Sequence, residues 1–190
     1  IISHNNITTF NPIIFENKNV IKVDFSGNSI RYLFTNQLIT IDKAIIMDFS
    51  SNLLSGLPSH LWGTEPNIRY LRDIDFSNNS LYNIPNGFIN VDSSNNYIEA
   101  LNFKNNYLIQ IPEQSLLSFG QLIELDLSHN DFNSIENVWL PKSDELITLN
   151  INNNPINKLD PIKNNFRNVQ YIDISYTSIE SINDIYFEEL

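Results

Sequence analysis

The chain has 190 residues, 42% of them hydrophobic, and a formal net charge of −11. That length and apolar share suit one packed domain and exclude a disordered chain, and the lack of cysteine excludes a disulfide framework, a thiolate nucleophile and a cysteine zinc site. No run approaches the roughly 18–20 apolar residues of a membrane span, and an acidic surface without a basic cluster repels nucleic acid and anionic lipid, so a partner chosen by charge carries a basic patch.

Taken in order, the chain repeats itself. A truncated first copy, Ile-Ile-Ser-His-Asn, occupies 1–5. Ile-Lys-Val-Asp-Phe-Ser-Gly-Asn at 21–28 returns as Ile-Ile-Met-Asp-Phe-Ser-Ser-Asn at 45–52 and Arg-Asp-Ile-Asp-Phe-Ser-Asn-Asn at 72–79. Glu-Ala-Leu-Asn-Phe-Lys-Asn-Asn at 99–106, Ile-Glu-Leu-Asp-Leu-Ser-His-Asn at 123–130 and Ile-Thr-Leu-Asn-Ile-Asn-Asn-Asn at 147–154 follow. The last copy, at 170–177, ends in Thr. The final positions form a ladder of Asn5, Asn28, Asn52, Asn79, Asn106, Asn130, Asn154 and Thr177, spaced by 23, 24, 27, 27, 24, 24 and 23 residues. Asn96 is a decoy: it would split a 27-residue unit into 17 and 10, and 10 residues cannot make a strand, a turn and a return.

Each copy alternates apolar and polar residues, as in Val23 and Phe25, Ile74 and Phe76, or Leu125 and Leu127. Period two predicts a short strand with one buried face. Strands that recur in one direction stack as a parallel sheet. Apolar residues after each ladder position, such as Leu108 and Ile111, turn the chain inward again. One unit cannot bury its own apolar side, so neighbouring coils must do it. The returns are short and rich in Pro, Asn and Ser, which predicts irregular structure with at most short helical turns, for example around Glu113–Phe119.

This pattern resembles the leucine-rich-repeat family, whose core reads L-x-x-L-x-L-x-x-N-x-L. The likeness covers the whole chain. The resemblance implies a mainly β solenoid: a horseshoe with its parallel sheet on the concave face and an irregular or short-helical convex side. It also implies a structural task for the ladder side chains, which both donate and accept where the strand bends into the turn. Leu57-Pro58, Ile84-Pro85 and Ile111-Pro112 look like the "typical" 24-residue subclass found in Toll-like receptor ectodomains and in secreted immune repeat proteins such as those of insects. Neither end carries a cap, which predicts that 1–190 is a fragment of a longer array, here about eight repeats.

The alternation places two columns of side chains on the solvent face of the sheet. The inner one, Asp24, Asp48, Asp75, Asn102, Asp126, Asn150 and Asp173, is nearly all acidic. It reads either as a stripe for a basic ligand or a cation, or as the family's ordinary strand sequence. The outer one, Lys22, Ile46, Asp73, Ala100, Glu124, Thr148 and Tyr171, varies as a recognition surface does. A third column, which includes Ser77, Lys104 and Ser128, is expected to face solvent too. The candidate ligand-binding residues are Ile46, Asp48, Asp73, Asp75, Asn102, Lys104, Glu124, Asp126, Tyr171 and Asp173, with Tyr107 and Tyr176 on the rim. The 27-residue units carry extra residues within Gly63–Arg69 and Asn86–Asn96, while Trp62 and Trp139 read as core.

Asn6 and Asn78 begin N-x-[ST] sequons, compatible with secretion in a chain with about thirty Asn residues. His4, His60 and His129 fall in different coils, and no nucleophile elbow, phosphate loop or metal-ligand spacing occurs. The reading is therefore a binding module without cofactor or metal, with a protein ligand and no nucleic acid, able to form homo- or hetero-oligomers. The resemblance points to a secreted or cell-surface setting. A cytoplasmic adaptor or a self-associating adhesive repeat protein is the alternative.

Overall fold

In the computed structural model, residues 1–16, 18–64, 68–89, 96–112, 115–116, 118–135, 143–159 and 168–182 are described. The sheet strands are β1 (Lys22–Asp24), β2 (Ile46–Asp48), β3 (Asp73–Asp75), β4 (Ala100–Asn102), β5 (Glu124–Asp126), β7 (Thr148–Asn150) and β9 (Tyr171–Asp173). They form one seven-stranded sheet in chain order, every pair parallel. The register is straight: Val23, Met47, Ile74, Leu101, Leu125, Leu149 and Ile172 lie in one row. The truncated first copy joins the same sheet through Ile2 N–H to the Asp24 carbonyl at 2.9 Å and His4 N–H to the Ser26 carbonyl at 2.8 Å.

The mainly β solenoid expected from the alternation is what the chain forms. Among the described residues the helical content is one 3-10 turn, Pro12–Phe15, started by Pro at its first position and by the Asn11 side chain, which accepts from Ile13 N–H. The turn expected around 113–119 falls partly outside the described residues. A feature the alternation did not announce is a second, two-stranded parallel sheet on the return side, β6 (Ser134–Ile135) with β8 (Lys158–Leu159).

Phenylalanine fills the core at the second apolar position of each early strand. The Phe25, Phe49, Phe76 and Phe103 rings stack at 5.5, 5.7 and 5.8 Å, tilted by 15° or less. Leu127 and Ile151 continue the row and are fully buried. Phe88 and Phe119 close it from the return side. Trp62 packs edge-on against Phe88 in the core, as expected, although its indole N–H finds no hydrogen-bond partner among the described residues. Trp139 lies outside the described residues.

The ladder asparagines are buried from Asn28 to Asn154 and repeat one bonding scheme. Asn79, for example, accepts from the Leu54 N–H of the preceding coil at 3.0 Å and donates to the Phe49, Phe76 and Ser77 carbonyls. Asn5 is exposed and bonds within its own coil, while Thr177 gives a single bond to the Ile174 carbonyl. Asn96 is buried but bonds locally, accepting from Ile98 N–H, and takes no ladder place.

The residue before each ladder position has a left-handed backbone: His4, Gly27, Ser51, Asn78, Asn105, His129, Asn153 and Tyr176, with φ between 52° and 63°. Glycine and asparagine adopt this readily. Tyr176 does not, and it marks a locally costly turn.

Candidate functional site

The face of the sheet carries two columns, because three-residue strands put their first and third side chains on one side. The third expected column holds only in part: Ser77 is 4% exposed and Ser128 fully buried, whereas Lys104 and Ser175 stand exposed. The inner column ends each strand. Each Asp or Asn accepts the backbone N–H two residues on, which bends the chain at the strand end. These bonds run from Ser26 to Asp24, Ser50 to Asp48, Ser77 to Asp75, Lys104 to Asn102, Ser128 to Asp126, Asn152 to Asn150 and Ser175 to Asp173. The acidic column is thus first a row of turn caps.

Several second oxygens are engaged as well. Asp75 Oδ2 accepts from Asn102 Nδ2 at 3.1 Å, Asp126 Oδ2 from Asn150 Nδ2 at 3.3 Å and Asp173 Oδ2 from Asn152 Nδ2 at 2.8 Å. Asparagine between aspartates turns like-charge repulsion into hydrogen bonds. At the first strand, Lys22 Nζ lies 3.5 Å from Asp24 Oδ2.

Between β2 and β5 the face sinks into an open hollow of about 270 Å³. Ala100 makes it: a methyl group stands in the outer column between Asp73 and Glu124. Ile46, Asp48, Asp73, Asp75, Asn102, Glu124 and Asp126, all candidates from the sequence, line it together with Ala100. Lys104 stands exposed beyond the end of β4 and does not line it. Tyr171 and Asp173 lie on β9, with β7 between them and β5, so the structure does not bring them to the hollow. Tyr171, Tyr107 and Tyr176 are 55%, 59% and 83% exposed. The sequence reading missed Ala100, whose value as a gap depends on its neighbours across strands. It also missed the exposed Tyr32, Leu53, Tyr82 and Ile109 on the flank where the chain leaves the sheet. Of the sequon residues, Asn6 is exposed; Asn78 is exposed and accepts from Asn105 Nδ2 at 2.8 Å.

The hollow is charged but not convergent. Among the described residues no three His, Cys, Asp or Glu side chains are grouped to hold a metal ion, since the carboxylates run in straight columns. Burial pushes the Asp73 carboxyl up, and the Glu99 charge adds to this against Arg72. Arg72 itself is taken by Glu99 at 3.3 Å and by the Tyr97 ring. Burial also pushes Asp75 up, with the Asp48 charge adding, while hydrogen bonds from Ser77 and Asn102 offset part of it.

A raised carboxyl binds its proton more tightly in the folded chain than in the unfolded one. Its ionisation at neutral pH therefore costs stability, which returns as pH falls through the raised range. Asp75→Asn keeps an acceptor for Ser77 N–H and forfeits the bond from Asn102 Nδ2 to Oδ2; release of the buried charge should outweigh that bond and raise the melting temperature at neutral pH. That advantage should shrink as pH falls into the carboxylate range. Thermal melts of both proteins across that range check it, and a D75N protein less stable at neutral pH would contradict it.

No protein-family model matches the sequence, and no curated protein matches it. Solved structures do. A TLR13–ssRNA13 complex matches 91% of this chain with a TM-score of 0.65 at 18% identity. A leucine-rich-repeat protein of Leptospira interrogans matches 98% with a TM-score of 0.63 at 17% identity. The chain has the leucine-rich-repeat fold. It spans 27% of the first of these chains and 56% of the second.

Proposed function

We propose that this leucine-rich-repeat module binds a protein partner across its sheet face and seats a basic side chain of that partner over Ala100. One observation carries the reading. Asp48, Asp73, Asp75, Glu124 and Asp126 line the hollow, and among the described residues no lysine or arginine does. Its volume lies below the roughly 300–1,000 Å³ of small-molecule pockets, which suits one long side chain better than a free ligand. Ile46 supplies an apolar wall for the stem of a Lys or Arg, whose charged head then meets the carboxylates. Tyr171, further along the face, offers a second anchor.

The setting we infer is the recognition ectodomain of a secreted or cell-surface receptor, with an immune role and glycans at Asn6 and Asn78. The 23–27-residue spacing supports it, and the two sequons are compatible with it. The TLR13 structure holds a single-stranded RNA, so the fold itself does not forbid nucleic acid. The acidic face of this chain argues for a cationic protein instead.

A library of soluble Lys- and Arg-bearing peptides, titrated calorimetrically, tests the reading. Replacing Asp73, Asp75 and Asp126 together with Asn keeps the turn-capping acceptors and removes three charges. At roughly 0.2–1 kcal/mol for each exposed charge contact, affinity should fall about tenfold. The salt dependence should flatten with it. Unchanged affinity and salt slope would reject the acidic hollow as the site. Tight binding of single-stranded RNA, with none of the peptides, would reject a protein partner.

A further inference from the structure

We propose that Asn86 is a site of spontaneous modification, where the chain converts its own amide into aspartate or isoaspartate by way of a ring closed by Gly87. Asn86-Gly87 is the one Asn-Gly pair in the sequence. Asn86 is exposed, and the pair forms a turn closed by Phe88 N–H on the Pro85 carbonyl at 3.2 Å. Gly87 has a φ of 69°, and the space where a Cβ would stand is empty to 4 Å. Its N–H has no hydrogen-bond partner among the described residues. The nucleophile is therefore unshielded by a side chain and is not committed elsewhere. Ser115 Oγ lies 3.4 Å from Asn86 Oδ1, where its hydroxyl polarises the amide carbonyl that is to be attacked.

The step balances without an oxidant or reductant. The Gly87 nitrogen loses its proton and attacks Asn86 Cγ. The bond from Cγ to Nδ2 breaks, and Nδ2 leaves as ammonia with the proton. The five-membered imide is then opened by water. Cleavage on the Cγ side leaves aspartate, and cleavage on the main-chain carbonyl side leaves isoaspartate. Either product adds one negative charge to a chain already at −11.

Isoaspartate does more, because it lengthens the main chain inside an inter-coil contact. The Gly87 carbonyl accepts from His60 N–H of the preceding coil at 2.9 Å, and Ser115 Oγ reaches the Pro85 carbonyl from the following one. Conversion thus acts as a clock that loosens the return side of three adjacent coils. The other asparagines serve as internal references. Asn28 and Asn79 also precede serine but are buried with their amides fully bonded, while Asn133 is exposed and precedes Ser134.

The full chain is to be incubated at neutral and at mildly acidic pH and mapped by peptide mass spectrometry with an isoaspartate assay. Asn86 should convert ahead of Asn133 and of every ladder asparagine, faster at the higher pH, where the Gly87 nitrogen is more readily deprotonated. Asn86→Gln, whose six-membered ring closes far more slowly, should abolish the product and leave the melting curve unchanged. In the converted protein, hydrogen exchange at His60 and Phe88 should rise. Conversion first at another asparagine would overturn the proposal. So would a folded chain that keeps Asn86 intact while the unfolded chain converts it.

Discussion

Phe76→Ala should destabilise the chain by about 3–5 kcal/mol, the range for emptying a fully buried aromatic site. Phe76 sits in the middle of the ring stack, 5.7 Å from Phe49 and 5.8 Å from Phe103, with the edge of Phe88 at 6.4 Å. Truncation removes contacts to the coil before, the coil after and the return side at once. Neighbouring coils bury one another's apolar faces, so a cavity at that position weakens two interfaces. Phe76→Leu should cost much less, under about 1.5 kcal/mol after repacking. Leu127 occupies the same place two coils on and is just as buried, so the site accepts a branched aliphatic side chain. Chemical denaturation followed by circular dichroism measures both variants. A Leu replacement as costly as the Ala one would mean that ring stacking, and not filled volume, holds the coils together. A Phe76→Ala protein within about 1 kcal/mol of the original would deny the stack its structural role altogether.

The same comparison separates what could be read in the sequence from what could not. The apolar row Val23 to Ile172, the Phe row and the ladder were legible because each is a side-chain pattern with a fixed period. Rejecting Asn96 needed nothing beyond the length of a coil. The left-handed position before each ladder residue was hidden. Gly27, Ser51, Asn78, His129 and Tyr176 share a backbone angle and no common chemistry. The inward turn of Ser77 and Ser128 was hidden for a related reason. Period two holds only while the strand lasts, and the Asp turn caps end it after three residues. At the candidate site, the columns followed from alternation, but the hollow did not. Ala100 is an unremarkable residue until the register sets it between Asp73 and Glu124. The β6–β8 pair arises from a contact between returns, which carry too little alternation to announce it.

Asn130→Ala is the sharpest test of the ladder. Asn130 Oδ1 accepts from Leu108 N–H at 3.0 Å, and Nδ2 donates to the Phe103, Leu127 and Ser128 carbonyls at 3.0, 3.1 and 3.2 Å. Alanine strands the Leu108 N–H of the preceding coil in a buried setting, whereas the Phe103 carbonyl keeps its bond from Asn106 Nδ2 at 2.9 Å. At about 1–3 kcal/mol for one unsatisfied buried group, the loss should fall in that range. Asn130→Asp keeps the acceptor for Leu108 but points a carboxylate oxygen at three carbonyls, so it should be no less harmful near neutral pH. Asn5→Ala should fall within about 0.5 kcal/mol, because Asn5 is exposed and bonds within its own coil. Hydrogen exchange at the Leu108 amide gives the local readout, and a protected amide in Asn130→Ala would show that the ladder bond is dispensable. The opposite change is available at the other end. Thr177 makes one bond where the buried ladder asparagines make four, and the Ile156 N–H of the preceding coil finds no partner among the described residues. Thr177→Asn should supply that partner and stabilise the last described coil. A gain there and a loss at Asn130 would together establish that the ladder acts bond by bond, with the coil-to-coil link from Oδ1 as its essential part. An unchanged Thr177→Asn protein would assign the weight to the bonds each asparagine makes within its own turn.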